Sequence, residues 1–307
     1  MKQTILVIGA TGAQGGSVAR HLIQQGKFNV RILTRNAKSD KALQFKYLGA
    51  EIAEGDLNNM ASVSNAITGC YGVFGVTNFW EHFDGEFQHG KNLIDAVHKA
   101  GIEHFVFSTL PSAIGISGGK LSVPHLDIKA ELEAYSKSLN IPATYIHVAF
   151  YYENFLSFFP PKRLEDNTWH FGFPQGDTPL AAVSIEDCGG IISEIFNNPQ
   201  QFIGKRVGIV GDDVTCYEYA ATMSEVLGKK IIYDYIPQQL YASFGFPGAE
   251  ELANMFEFNR TYINGRNADL EESRNLYPQI NSFKQWITAN RNKFEALLTI
   301  EKETLIN

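Results

Sequence analysis

Three glycines, Gly9, Gly12 and Gly15, stand between an apolar run at residues 5–8 and an Ala/Leu/Ile-patterned segment that ends at Gly26. No other stretch restricts the fold so narrowly. The run reads as a buried strand, the glycines as a tight turn, and the following segment as a helix closed by a C-terminal glycine. A strand that enters such a turn and leaves as a helix opens a parallel βαβ unit, and the helix N-terminus it exposes favours an anion. The glycines divide the work. Gly9 makes the sharp turn, Gly12 leaves space for phosphates, and Gly15 lets helix and strand pack closely. The spacing is G-x-x-G-x-x-G rather than G-x-G-x-x-G, so the strand before and the helix after are what identify a dinucleotide pyrophosphate turn.

The rest of the first half supports this reading by alternation. Strand-like runs fall at residues 5–8, 30–33, 51–53, 72–76, 105–108 and 143–148, with helical patterns at 43–48, 60–67, 87–100 and 128–139. Repeated βα units with short connections predict an α/β fold, a Rossmann-type doubly wound parallel sheet with helices on both faces. Ligands in such sheets bind beyond the carboxyl ends of the strands, which places Gly9–Gly15, Thr34–Arg35, Gly55–Asp56, Thr77–Asn78 and Ser108–Thr109 along one edge. After residue 150 the alternation degrades. Residues 151–169 are aromatic and proline-punctuated, and 259–278 are polar and read as loop-rich, yet 184–196 and 217–227 read as helices and 205–210 and 231–236 as strands. Ser184 is the expected N-cap of the first of these helices, with Glu186 and Asp187 in its first turn. The expected division is a dinucleotide-binding domain over 1–150, to which 184–212 returns, and a smaller C-terminal α/β region over 151–307 that closes a cleft.

Which dinucleotide is read from the second strand. An NAD-binding domain places an Asp or Glu at its tip to hold the adenosine ribose 2′-hydroxyl. This chain has no acid from Met1 to Ser39, and Arg35 stands at that place. A guanidinium fork suits a 2′-phosphate, which a carboxylate would repel, so NADP(H) is expected in preference to NAD(H). Lys38 and Lys41 follow and read as a solvated basic loop.

Composition sets outer bounds. With 307 residues the chain can bury about three quarters of its unfolded surface. A formal charge of −7 argues against direct nucleic-acid binding, so any regulatory role is expected to run through protein partners, with a homodimer also open. Cys70, Cys188 and Cys216 lie far apart and read as buried thiols in a reducing compartment. Neither a signal peptide nor a membrane span is legible, giving an expectation of a cytoplasmic protein with a nuclear location also open.

The segments GATGAQGGSVARHL, VRILTRN, GAEIAEGDLNN, VTNFWE, HLDIKAELEAY, FYYENFLSFF and GFPGAEELANMFEF together resemble the NmrA-like family, a branch of the atypical short-chain dehydrogenase/reductase superfamily. The pattern is close to that of the animal NmrA-like redox-sensor proteins. The resemblance runs from the first strand to about residue 258. It implies that Gly9, Thr11, Gly12, Ala13, Gln14 and Gly15 form the pyrophosphate loop, that Arg35 meets the 2′-phosphate, and that Asp56 and Leu57 flank the adenine. It further implies that Thr77, Asn78 and Phe79 lie near the nicotinamide half, that Lys129 reaches the nicotinamide ribose, and that Tyr152, Glu153 and Asn154 line the nicotinamide end. Active members of the superfamily resemble one another in Tyr-x-x-x-Lys. Here His125 replaces the tyrosine four residues before Lys129, and the usual helper serine is missing near Leu110. His125 and Lys129 are the candidate proton-handling residues, His125 also reading as a packing residue at a helix N-terminus and Lys129 as a cofactor ligand.

Other signals carry less. Gly115-Ile116-Ser117-Gly118-Gly119 fits G-x-S-x-G, but a nucleophile elbow needs a strand running directly into it, so a glycine loop is expected. His82, His89, His98 and His104 are too irregularly spaced for a metal site and read as solvated or capping residues. Two functions remain in view. One is an NADP(H)-binding regulatory protein, a redox sensor whose cofactor occupancy alters conformation or partnering with little or no dehydrogenase turnover. The alternative is an NAD(P)H-dependent reductase of quinones or other small carbonyl compounds.

Overall fold

The computed structural model describes residues 2–83 and 85–304, with side chains described as far as Thr299. Two compact units are present. The first comprises residues 1–112, 124–148 and 185–209, and the second comprises 113–123, 149–184 and 210–307.

The first unit is built on seven parallel strands: β1 (Thr4–Val7), β2 (Asn29–Thr34), β3 (Glu51–Glu54), β4 (Gly72–Gly75), β5 (His104–Thr109), β6 (Ala143–Val148) and β7 (Arg206–Ile209). Their order across the sheet is β7-β6-β5-β4-β1-β2-β3. The chain therefore winds outward from β1 in one direction through β2 and β3, then returns and winds the other way from β4. The reversal lies between β1 and β4, the place where such sheets leave a crevice for a ligand. The helices are α1 (Ala13–Gln25), α2 (Asp40–Tyr47), α3 (Met60–Ile67), α4 (Glu86–Ala100), α5 (Pro124–Ser138) and α6 (Ile185–Asn197).

From Ile5 the chain of β1 is apolar because both faces of the strand are covered. Leu6 and Ile8 pack with Val63, Leu93 and Leu132 from α3, α4 and α5. Ile5 and Val7, which alternation turns the other way, are equally buried. Helix α1 packs on α6 so closely that a Cβ at Gly189 would fall 2.4 Å from Ser17 Oγ, and a Cβ at Gly90 on α4 would meet Leu132 of α5 at 2.3 Å. Helix α1 ends at Gly26 in the left-handed region, φ 65°.

The second unit holds two small sheets. One joins Asp212–Thr215, Pro179–Val183 and Phe150–Tyr151, and the other joins Ile231–Tyr235, Trp169–Phe173 and Lys162–Arg163. Its core is aromatic: Phe155, Phe171, Phe173, Tyr219, Phe256 and Phe283 are buried together, with Phe173 stacked on Phe256 at 4.2 Å.

Three expectations are corrected here. Residues 259–278 are not loop-rich, since helices Ala249–Tyr262 and Asn267–Leu276 occupy most of them, parted around Gly265 at φ +84°. Few inward side chains, Phe256 and Phe258 on one helix and Leu270 on the other, suffice to anchor these otherwise polar helices. The G-x-S-x-G segment is a loop only at its end, where Gly118 and Gly119 turn at φ +61° and +83°. Ala113–Ser117 is a short helix, and Ser117 Oγ accepts from Leu121 N at 3.0 Å. Of the four histidines read as solvated or capping, His104 is fully buried on β5 against Thr144 and His89 is buried against Asn58, with only His98 exposed. Burial brings the His104 imidazole down to about 4. Among the described residues no helix is long and apolar enough to cross a membrane, and no cluster of three His, Cys, Asp or Glu could hold a metal ion.

Candidate functional site

The carboxyl ends of β1 to β5 share one edge of the first unit. At the end of β1 the turn is formed by Gly9 at φ +70°, whose carbonyl accepts from Gly12 N at 2.9 Å. A Cβ on Gly15 would lie 2.5 Å from the Gly9 carbonyl and from Ile8 O, so the first turn of α1 sits against the end of β1 only because that side chain is missing. A Cβ on Gly12 would meet only Gly9 O, at 3.2 Å, which leaves the space over the turn open. Helix α1 has neither a side-chain N-cap nor an acid in its first turn, so its leading N–H groups keep their affinity for an anion.

Gln14 adds a second donor there. It is buried, its Oε1 accepts from Ser108 Oγ at 3.1 Å, and its Nε2 has no partner among the described residues. A buried amide N–H without an acceptor is costly and fits a ligand oxygen. Lys41 is solvent-exposed as expected, but it stands on α2 rather than in a loop and donates to Thr11 O at 3.0 Å, which carries positive charge onto the glycine turn. Lys38 is exposed.

At the tip of β2, Arg35 is exposed and donates from Nη2 to Glu81 Oε1 at 2.6 Å. The hydrogen bond from Arg35 holds the Glu81 carboxyl below the usual range. Beyond β3, Asp56 Oδ1 accepts from Asn58 N at 2.8 Å and Leu57 O accepts from Asn92 Nδ2 at 2.8 Å, which fixes that loop. Beyond β4, Asn78 Nδ2 donates to Glu81 Oε2 at 3.3 Å. Phe79 is buried with Trp80, Phe83 and His125 around it, at ring separations of 5.3, 5.0 and 5.9 Å.

Lys129 is the most constrained group at this edge. One turn below His125 on α5, it donates to Thr77 O at 3.0 Å, Thr77 Oγ1 at 2.8 Å and Glu86 Oε1 at 2.5 Å. Thr77 in turn donates its own proton to the same Glu86 oxygen, at 2.5 Å. An ammonium has three N–H bonds, and here all three are taken. Burial pushes the lysine below its ordinary range while Glu86 opposes that shift. Lys129 thus pins the loop after β4 to α4 and α5, and is not left free toward the space above the glycine turn.

The end of β5 is equally committed. Ser108 serves Gln14, and Thr109 donates to Glu133 Oε2 at 2.5 Å. Against its burial, Glu133 is held down to about 2 by hydrogen bonds from His147, Lys137 and Thr109. Tyr152, Glu153 and Asn154 belong to the second unit. Tyr152 is fully buried there between Phe283 and Trp286, while Glu153 Oε1 accepts from Ser184 Oγ and Trp286 Nε1, each at 3.2 Å. The Asn154 carbonyl accepts from Ser157, Phe158 and Phe159 N.

Sequence reasoning thus located the residues of the first unit along one edge and missed Glu81, Glu86 and Glu133. Glu81 and Glu86 lie far in sequence from the cations they hold, and of the partners of Glu133 only Lys137, four residues on along the same helix, stands at a spacing a sequence reveals. The other available signal was Glu81 inside VTNFWE, next to residues already singled out.

A family model described as the NmrA-like family matches residues 1–287. The chain is similar to the NmrA-like family domain-containing oxidoreductase FrzB of a Cladobotryum species, at 34% identity with 84% of each chain covered. Among solved structures it is similar to NmrA, described as a negative transcriptional regulator. The NADP complex of that protein matches with a TM-score of 0.79 at 24% identity, covering 99% of this chain and 97% of that one. Its NAD complex matches with a TM-score of 0.80 at 24% identity, covering 100% and 98%. The NADPH-dependent quinone oxidoreductase QOR2 of Escherichia coli, complexed with NADPH, matches with a TM-score of 0.76 at 19% identity, covering 93% and 99%.

Proposed function

The chain belongs to the NmrA-like family, and from that premise we propose that its first unit binds NADP(H) and acts by binding, as a regulator with little or no dehydrogenase turnover. The glycine turn, the unpartnered Gln14 amide and the bare N-terminus of α1 suit a pyrophosphate, and Arg35 suits a 2′-phosphate. When bound, the nicotinamide supplies hydride chemistry. What this chain's own residues supply for proton movement is meagre.

The observation that carries the reading is the saturation of Lys129. A lysine with all three N–H bonds on Thr77 and Glu86 orders a loop, and offers no free donor for lowering the pKa of a neighbouring acid. The position that holds tyrosine in active relatives of the superfamily is His125. The name of NmrA as a negative transcriptional regulator supports a role exerted through a partner, and the net charge of −7 favours protein over nucleic acid as that partner. Regulation further requires that occupancy favour one conformation, since a ligand bound equally by two states shifts neither. Sensing of redox state requires in addition that NADPH and NADP⁺ favour different conformations.

The second reading, a reductase of quinones or small carbonyl compounds, is favoured by the oxidoreductase name of FrzB and by the half-exposed aromatic faces of Trp80 and Phe83 near His125. Turnover separates the two. The regulatory reading expects no NADPH oxidation above background over a panel of quinones and aldehydes. Oxidation that disappears in His125→Ala would replace it with the reductase.

A further inference from the structure

The absence of an acid on β2 does not leave the tip of that strand without carboxylates, because its neighbours provide them. Glu54, at the end of β3, accepts from Ala37 N at 3.3 Å. Glu81, from the segment after β4, accepts from Arg35 at 2.6 Å and holds Asn78 with its other oxygen. His82 Nε2 lies 3.7 Å from the same Glu81 oxygen that accepts from Arg35. In NAD-binding domains a carboxylate at this strand tip accepts the ribose 2′-hydroxyl. Here a carboxylate reaches the tip of β2 from the segment after β4, where it meets Arg35.

We propose that Glu81 is an internal competitor for Arg35, and so the residue that sets the balance between NADP(H) and NAD(H). This inference rests on the NADP(H) reading given above. A 2′-phosphate that takes Arg35 bidentately must displace Glu81 or sit beside its charge, and either outcome weakens NADP(H). NAD(H) brings no phosphate, leaves the Arg35–Glu81 pair intact, and presents a hydroxyl that the carboxylate can accept. The pair is exposed, at 58% for the Arg35 side chain and 44% for Glu81, so the competition is modest in size. It has a second consequence. The 2′-phosphate is common to NADPH and NADP⁺, so this pair distinguishes phosphorylated from unphosphorylated cofactor and is blind to oxidation state. Redox sensing, if the protein performs it, must reside at the Thr77–Phe79 and His125 end.

The test is calorimetric titration of the full chain with NADP⁺ and NAD⁺, in wild type, Glu81→Gln, Arg35→Ala and the double variant. Glu81→Gln keeps the size of the side chain and an oxygen for Asn78 while removing the charge. It is expected to tighten NADP⁺ about threefold to fivefold, the range of an exposed ion pair, and to leave NAD⁺ unchanged or weaker. The gain is expected to vanish when Arg35 is already Ala, which a general loosening of the loop would not produce. Unchanged or weaker NADP⁺ binding in Glu81→Gln, or an equal gain in the Arg35→Ala background, overturns the proposal. If wild type binds NADP⁺ and Arg35→Ala weakens it while Glu81→Gln behaves as wild type, Glu81 alone loses its role. A wild type that binds no NADP⁺ overturns the cofactor reading and this inference together.

Discussion

Replacing Lys129 by Met tests whether this lysine holds the β4 loop or waits for a ligand. The Glu86 side chain is completely buried and its Oε1 receives two hydrogen bonds, from Lys129 Nζ and from Thr77 Oγ1, while Oε2 has no partner among the described residues. Methionine keeps the aliphatic stem of the lysine but removes the ammonium. It leaves a buried carboxylate with a single hydroxyl donor, and strips Thr77 O of its partner as well. Removing one member of a buried ion pair costs about 3–5 kcal/mol, most of it the stranded charge. The companion variant, Lys129→Met with Glu86→Leu, removes the ion pair as a whole and so strands no charge, leaving the unmet Thr77 hydroxyl and carbonyl as the main loss, about 1–2 kcal/mol. Urea unfolding followed by circular dichroism and tryptophan fluorescence measures both. With two units present, coincidence of the two probes and constancy of m decide whether one transition is being read. The positioning role predicts that the double variant is more stable than the single one. A Lys129→Met loss below about 1 kcal/mol, or a double variant weaker than either single change, would refute the reasoning.

Other outcomes follow from the same geometry. Gly12→Ala and Gly15→Ala should part company: the first leaves unfolding within about 1 kcal/mol of wild type yet abolishes nucleotide binding, because its methyl fills ligand space. The second also destabilises the fold by about 1–3 kcal/mol, because its Cβ meets backbone at 2.5 Å; thermal unfolding and titration read both. His104, brought down to about 4 by burial from an ordinary 6.5, binds fewer protons folded than unfolded. Stability should therefore fall as pH drops from 6.5 to 4, by up to about 3 kcal/mol, and His104→Gln should flatten that window in urea unfolding at stepped pH.

The parts of the molecule that were legible in the sequence are those whose causes are local. Gly9 and Gly15 announce a turn because only glycine fits φ +70° or a 2.5 Å approach, and the continuous apolar runs of the inner strands β1, β4, β5 and β6 reflect a sheet covered on both faces. The pairings that tune the site are not local. Arg35 and Glu81 are 46 residues apart and Lys129 and Glu86 are 43 apart, joined only because parallel strands bring their carboxyl ends to one edge. A charge at a strand tip is visible in a sequence, and the countercharge that occupies it is not. Lys41 illustrates the same point, since nothing in its neighbourhood marks Thr11 O as its partner. The helices over residues 249–276 were obscured for another reason, as a mostly polar helix anchored by a few inward residues leaves little period to read.

The central claim is that a 2′-phosphorylated dinucleotide docks on the glycine turn with Arg35 on its extra phosphate. Calorimetric titration of wild type and Arg35→Ala with NADPH and NADH tests it most directly. The account predicts that Arg35→Ala weakens NADPH by about 1.5–3 kcal/mol, the worth of a hydrogen bond to a charged group, and spares NADH. Equal losses for both nucleotides, or wild-type affinity for NADPH in the variant, would contradict it.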